Sequence, residues 1–267
     1  MTTILQHVTE GYGTAVGALV SPAFGLISAL RRARTFHPRG DLFVGHLHVD
    51  PAAQADDAVL GRRLQGEVLL RFSDALSKQG PRRFDVLGMA LRFGRGVAGF
   101  DGDQDLLFAT IQRPWTMPIA PVLTDTSDYV GNDYFAVSPF ATPEHERAYF
   151  RVHPEVSGVW GRDDGAPALP AHEMRRERII ALAEGSDLEL ELGISKGPWG
   201  RFRPLGRMTI DRALPRDPVA LSFDPFRSGA GIRPRGLVHA LRRGVYAASR
   251  TTRGWTAAAD EGAIRAD

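Results

Sequence analysis

The chain of 267 residues contains no cysteine. Disulfides, thiolate metal ligation, zinc ribbons and cysteine nucleophiles are therefore excluded. Lysine is nearly missing: Lys78 and Lys196 are the only two, so arginine carries most of the positive charge. Arginine suits bidentate anchoring of carboxylates and phosphates. Asparagine occurs once, at Asn132. No block of like charge is long, and 33 basic residues face 31 acidic ones for a net charge of +2. That argues against a nucleic-acid surface. No apolar run reaches the roughly 20 residues of a spanning helix. The uncharged segment 14–30 is broken by Pro22 and several glycines, and Arg31, Arg32 and Arg34 follow it. A secretory leader has its positive charge before the apolar run, so the stretch reads as a helical arm, with membrane contact as the lesser alternative. The expected location is the cytoplasm.

What is present is mostly strand pattern. Alternating or continuous apolar runs at 42–49, 67–73, 86–93, 106–112, 188–194, 207–210 and 219–223 are separated by Gly, Pro and Asp. Such punctuation favours an antiparallel sheet or barrel over βαβ units. Two helices interrupt the strands. One is expected from Thr142, with Pro143 at its first position, towards His153. The other spans 172–184, with Ile179, Ile180 and Leu182 on its apolar side. A third covers 237–249. With no repeat and no low-complexity linker, the chain reads as one domain: an arm (1–33), a barrel (34–227), a helix (228–257) and a tail (258–267).

On that last helix, Arg242, Tyr246 and Arg253 fall within about 40° of one another at 100° per residue. A guanidinium one turn from a phenol favours phenolate, a hard ligand suited to ferric iron. On these residues alone, arginines near a helix C-terminus and a packed tyrosine remain the commoner reading.

Three pieces stand together along the chain: Arg34-Thr35-Phe36-His37, Val68–Ser73 and Arg242–Arg253. Between them lies Asp85-Val86-Leu87-Gly88-Met89-Ala90-Leu91-Arg92-Phe93, followed by Asp105-Leu106. In order and spacing this set resembles the haem catalases, over roughly 34–253, and its short catalase-related peroxidase branch in particular. The resemblance implies an α+β, mainly β chain. It would be a catalase-type antiparallel β-barrel with an N-terminal helical arm and a C-terminal haem-ligating helix. It implies haem b, with Tyr246 as the iron ligand and Arg242 beside its oxygen; the tyrosine–haem pairing comes with the family. His37 would be the distal base, moving a proton between the oxygens of a bound peroxide as they part. Ser73 would orient His37, Phe36 would line the haem, and Arg34, Arg71 and Arg253 would pair with its propionates. A lone His37 in a Phe-His-Pro turn would otherwise read as an exposed loop histidine. The implied partner is a small-molecule peroxide, and a homo-oligomer is expected.

The chain departs from the family in places. Catalases carry two asparagines just after the Asp-Leu pair; here Ala109 and Thr110 stand there, and Asn132 is out of register. Phe36 replaces a small β-branched residue. The expected activity is therefore reduction of organic hydroperoxides with weak catalase turnover. The alternatives are a haem-dependent hydroperoxide isomerase or dehydratase resembling allene oxide synthase, or a haem binder without turnover.

Three other motifs are set aside. Gly193-Ile194-Ser195-Lys196-Gly197 matches a nucleophile elbow, but Pro198 follows where a helix is needed, so a hairpin turn is expected. Asp101, Asp103 and Asp105 lack the glycine and glutamate of a calcium loop and read as a solvated turn. His46 and His48 share one strand face without a third metal ligand.

Overall fold

A computed structural model describes residues 40–51, 53–75, 84–94, 102–157, 171–215 and 223–236. Eight antiparallel strands close into a barrel. They are β1 (Gly40–Val49), β2 (Gly66–Asp74), β3 (Leu87–Phe93), β4 (Gln104–Ala109), β5 (Tyr134–Phe135), β7 (Tyr149–Val156), β8 (Leu188–Ser195) and β9 (Arg203–Ala213). Two short strands, β6 (Phe140–Ala141) and β10 (Arg233–Pro234), pair outside the ring. The expected mainly β, α+β class and antiparallel barrel are thus observed. The arm, 1–33, and the helix expected at 237–249 lie outside the described residues. Residues 228–236, expected to open the helical stretch 228–257, instead form a turn and β10.

Period-two alternation builds the core. Phe43 and Leu47 of β1, Val68, Leu70 and Phe72 of β2, Leu87, Met89 and Leu91 of β3, and Leu188, Leu190, Leu192 and Ile194 of β8 all enter one buried cluster. The ring closes where β1 meets β9, with a register shift at Val44/Gly45. Gly45 is required there, because a Cβ would collide with the carbonyl oxygen of Thr209.

Both ends of the barrel carry helices. α1 (Ala53–Asp56) and α2 (Ala58–Leu64) lie at one end, with Leu60 and Leu64 in the core. Glu144 Oε1 accepts hydrogen bonds from the amides of Val59 (2.8 Å) and Leu60 (3.0 Å), capping α2 from a distant loop. The remaining helices are the single turn α3 (Ala120–Leu123) and α4 (Ala171–Glu184). On α4, Ile179 and Leu182 enter the core, and Arg175 grips Asp74 at the end of β2 with two bonds of 2.8 Å while lying 4.2 Å from the Tyr129 ring.

The expected helix from Thr142 to His153 is not formed. Thr142 Oγ1 accepts from the His145 amide (3.0 Å) as a cap would, but the Thr142 amide also donates to the His145 carbonyl (2.8 Å), closing a tight turn. Phe140 and Ala148 then pair, and Phe150, Val152 and Pro154 alternate inward along β7. Alternation over eight residues outweighs one capping signal. The strand expected over 106–112 is shorter and shifted, ending at Ala109. Of the one expected over 219–223, only Phe223 is described, and it is not in a strand.

Candidate functional site

Of the expected site residues, Arg71 and Ser73 are described; Arg34, Phe36, His37, Arg242, Tyr246 and Arg253 lie outside the described residues. Two residues apart on β2, Arg71 and Ser73 share its outward face. Register then fixes their neighbours. Ser73 stands opposite Gly40 on β1 and Gly88 on β3, and Gly88 stands opposite Ala109. Arg71 stands between Leu42 and Ala90, and Ala90 opposite Leu107. The next row is Val44, Leu69, Arg92 and Asp105.

This outward surface of β1–β4 is buried, unlike most outward barrel faces. Leu42, Val44 and Leu69 form a second apolar cluster, against which Leu214 and Phe223 pack. Ser73, Ala90, Arg92 and Asp105 are also buried. Gly88, Ala90 and Ala109 give the surface a floor of small residues. Arg71 lies across it: a Cβ on Gly40 would stand 2.5 Å from Arg71 Nε, so any larger residue there would push the guanidinium aside. The Ser73 hydroxyl donates a long bond, 3.4 Å, to the Gly88 carbonyl.

Arg92 and Asp105 hold the neighbouring row. Arg92 Nε and Nη2 donate to the two Asp105 oxygens at 2.8 and 3.0 Å, with both side chains essentially unexposed. Asp105 also accepts from the Asp224 amide (2.8 Å) and from Arg227 Nη1. The Arg92 guanidinium lies 4.7 Å from the Phe223 ring centroid. Gln104 adds a bond from Nε2 to the Arg227 carbonyl (2.8 Å) and accepts from the Ile232 amide (3.1 Å). Asp103 and Asp105 are therefore buried, and the expected solvated turn is corrected. An ionised carboxylate can be buried here because it has two guanidinium partners and an amide. Sequence reading named both motifs but not this pairing. The signal was two opposite charges set into neighbouring apolar strands.

The residues replacing the asparagines can also be read. Ala109 ends β4 facing outward. Thr110 Oγ1 accepts from the Leu87 amide (3.1 Å) and meets Thr124 Oγ1 at 2.8 Å, and Thr124 donates its own proton to the Ala120 carbonyl (2.8 Å). By elimination, Thr110 is the donor to Thr124, so its single proton is committed. Asn132 clamps its own loop, bonding to Asp125 and Asp128.

The set-aside motifs stay outside this surface. Ser195 Oγ donates to the Gly197 carbonyl (2.9 Å) in the β8–β9 hairpin, as expected of a turn. His46 and His48 face outward and exposed, and His46 Nδ1 pairs with Asp211 at 2.5 Å. Among the described residues, no cluster of three or more metal-ligating side chains occurs, and no helix is long and apolar enough to cross a membrane.

No family model and no curated protein matches the chain. Many solved structures are similar to the chain, among them a bacterial catalase, 18% identical, with a TM-score of 0.48 over 82% of this chain and 56% of that one. The chain thus spans little more than half the length of that structure. A likeness of this size carries no weight for the site, whose reading rests on the residues themselves.

Proposed function

We propose that the chain is a haem b peroxidase acting on organic hydroperoxides, with weak catalase turnover. The supporting observation is the β1–β2 register. It puts Ser73 opposite Gly40 and lays Arg71 across it, three residues from His37 along the chain. Three residues span at most about 10 Å, so this register leaves His37 within reach of Ser73, as the proposal requires. The residues there suit the group: Gly88, Ala90 and Ala109 are small, and Arg71 suits a carboxylate.

Bound haem supplies an iron at which a peroxide O–O bond can be split. The chain supplies the rest. Tyr246 would hold the iron, and Arg242 would donate to its oxygen, keeping it a phenolate. Arg34, Arg71 and Arg253 pair with the propionates. His37 takes a proton from the peroxide and returns it to the leaving oxygen. Ser73, whose proton points to the Gly88 carbonyl, turns lone pairs toward an imidazole N–H and orients it. Phe36 and Ala109 keep the peroxide side apolar, which favours an alkyl hydroperoxide.

Catalase turnover requires a second hydrogen peroxide to be held by an oriented donor. Ala109 has none, and the Thr110 proton is engaged with Thr124. Loss of one such donor costs about 100-fold or more in rate. The test has two parts. Absorption spectra follow haem added to the chain and to Tyr246→Phe, and the expected result is a tyrosinate-type spectrum that the substitution abolishes. Oxygen release from hydrogen peroxide is then compared with dye oxidation by an alkyl hydroperoxide, where oxidation should dominate and His37→Ala should remove it. An unchanged spectrum in Tyr246→Phe, or oxygen release exceeding dye oxidation, overturns the proposal.

A further inference from the structure

A second polar–aromatic site lies elsewhere on the barrel, between the segment after β4 and the β8–β9 hairpin. It is a cleft of about 190 Å³, walled mostly by apolar side chains that include Phe135, Pro139 and Pro198. Trp115 lines its edge, and Trp199, next in the chain to the lining Pro198, packs on Trp115 with ring centroids 5.4 Å apart; the two are 51% and 75% exposed. Two tryptophans are seldom left in water without a use. Between chain positions that far apart, the residue joining them is Arg113. Its guanidinium lies 4.2 Å from the Trp199 ring and 5.8 Å from Trp115.

Arg113 is 9% exposed, yet no carboxylate among the described residues pairs with it. The two indoles lie on one side of the guanidinium, and among the described residues its N–H groups have no side-chain acceptor. A desolvated cation of this kind favours an anionic partner. Ser138 also lines the cleft. It is buried, and its hydroxyl has no hydrogen-bond partner among the described residues. Such orphaned groups are rare in folded proteins. The site therefore combines an unpaired guanidinium edge, an unused hydroxyl and aromatic walls.

We propose that this cleft binds a small aromatic carboxylate. The carboxylate meets the Arg113 N–H edge and the Ser138 hydroxyl, and the ring lies against the tryptophans and prolines. Size sets the class: an apolar cavity of about 150 Å³ holds benzene, so this one holds a single ring with a short acid arm. The proposal is independent of the haem reading, since the cleft shares no residue with Arg71, Ser73 or their neighbours.

Trp115 and Trp199 are two of four tryptophans, so binding is readable by fluorescence quenching. The probes are benzoate and 3-phenylpropanoate, with benzamide and butyrate as controls, and calorimetry as a second measurement. Saturable quenching is expected for the aromatic acids. Benzamide should bind at least tenfold more weakly for want of charge, and butyrate at least tenfold more weakly for want of a ring. Arg113→Gln should weaken benzoate binding about tenfold or more, and so should Ser138→Ala, as for a bond to a charged group. Trp199→Phe should remove much of the quenching. Unchanged thermal melts identify folded variants; if Arg113→Gln misfolds, Arg113→Lys, which keeps the charge and loses the flat stacked edge, should still weaken binding. The inference is overturned by absence of saturable binding at millimolar ligand, by equal binding of benzoate and benzamide, or by full affinity in folded Arg113→Gln. Quenching that follows protein concentration rather than ligand would mean self-association and would likewise overturn it.

Discussion

The outward faces of β1–β4 and of β7–β9 belong to one barrel and are built on the same alternation, yet they solve the problem of charge differently. On β7–β9, Arg207 reaches Glu189 at 3.5 Å and Glu155 at 3.8 Å, with all three side chains 44–49% exposed. His153 pairs with Asp133 across similarly open surface. On β1–β4, Arg92 and Asp105 are sealed off and joined by two bonds, among glycine, alanine and leucine. Water screens the first set and not the second. A face that excludes water holds charge only in tightly paired form; a face of exposed pairs is built to stay in solvent.

The largest expected effect tests that contrast directly. Arg92→Ala removes the bidentate partner of a buried carboxylate and should cost about 3 kcal/mol in denaturant unfolding, Arg227 keeping part of the pairing. Arg207→Ala should cost less than about 1 kcal/mol. Similar costs for the two would erase the distinction between the faces.

Next comes Ala90→Trp, which fills the floor beside Arg71. Overpacking should cost about 1–3 kcal/mol and lower haem retention by about tenfold or more, measured by competition for haem. Glu189→Trp, on the open face, should leave retention unchanged. Haem retained equally by both would move the candidate site off β1–β4.

A smaller effect is expected at the barrel end, where Glu144 caps α2. Glu144→Ala should cost about 1 kcal/mol, seen as a lower melting temperature with the barrel signal intact.

The smallest effect lies inside the ring and depends on pH. Burial pushes the Tyr134 phenol well above its usual value of 10.0, and Tyr129 is raised by the same cause. A group whose pKa is raised on folding stabilises fully below its unfolded pKa, and that contribution fades as pH climbs above it. Stability should therefore fall above pH 10. Tyr134→Phe loses the bond to the Tyr129 carbonyl (2.8 Å), about 1 kcal/mol at neutral pH. The gap between variant and parent should narrow above pH 10, because the variant has one fewer phenol to ionise on unfolding. A gap that widens with pH would contradict the cause given for the shift.

Much of the barrel was legible because inward alternation is a property of each strand alone. The runs at 42–49, 67–73 and 188–194 match β1, β2 and β8 within a residue or two. β7 was misread because Thr142-Pro143 imitates a helix start, and nothing local says that His145 will close the turn instead. At the candidate site, the shared face of Arg71 and Ser73 follows from their spacing. Arg71 lying across Gly40 does not, since it depends on the β1–β2 register. The commitment of Thr110 needs Thr124, brought back by a turn with no strong signature. The aromatic cleft draws on segments around 113, 138 and 199, and no single window holds its pattern.

Closure of the ring at β1 and β9 has a consequence for synthesis. His46 and Asp211, which pair across that seam, are 165 residues apart. At about 5–20 residues per second, β1 emerges roughly 10–30 s before its partner. Through that interval one edge of β1, with Phe43, Val44 and Leu47 along it, has no strand to pair with. Unpaired apolar edges recruit other chains. Yield of folded protein should therefore respond to the pace of translation between β1 and β9 more than to changes that follow closure.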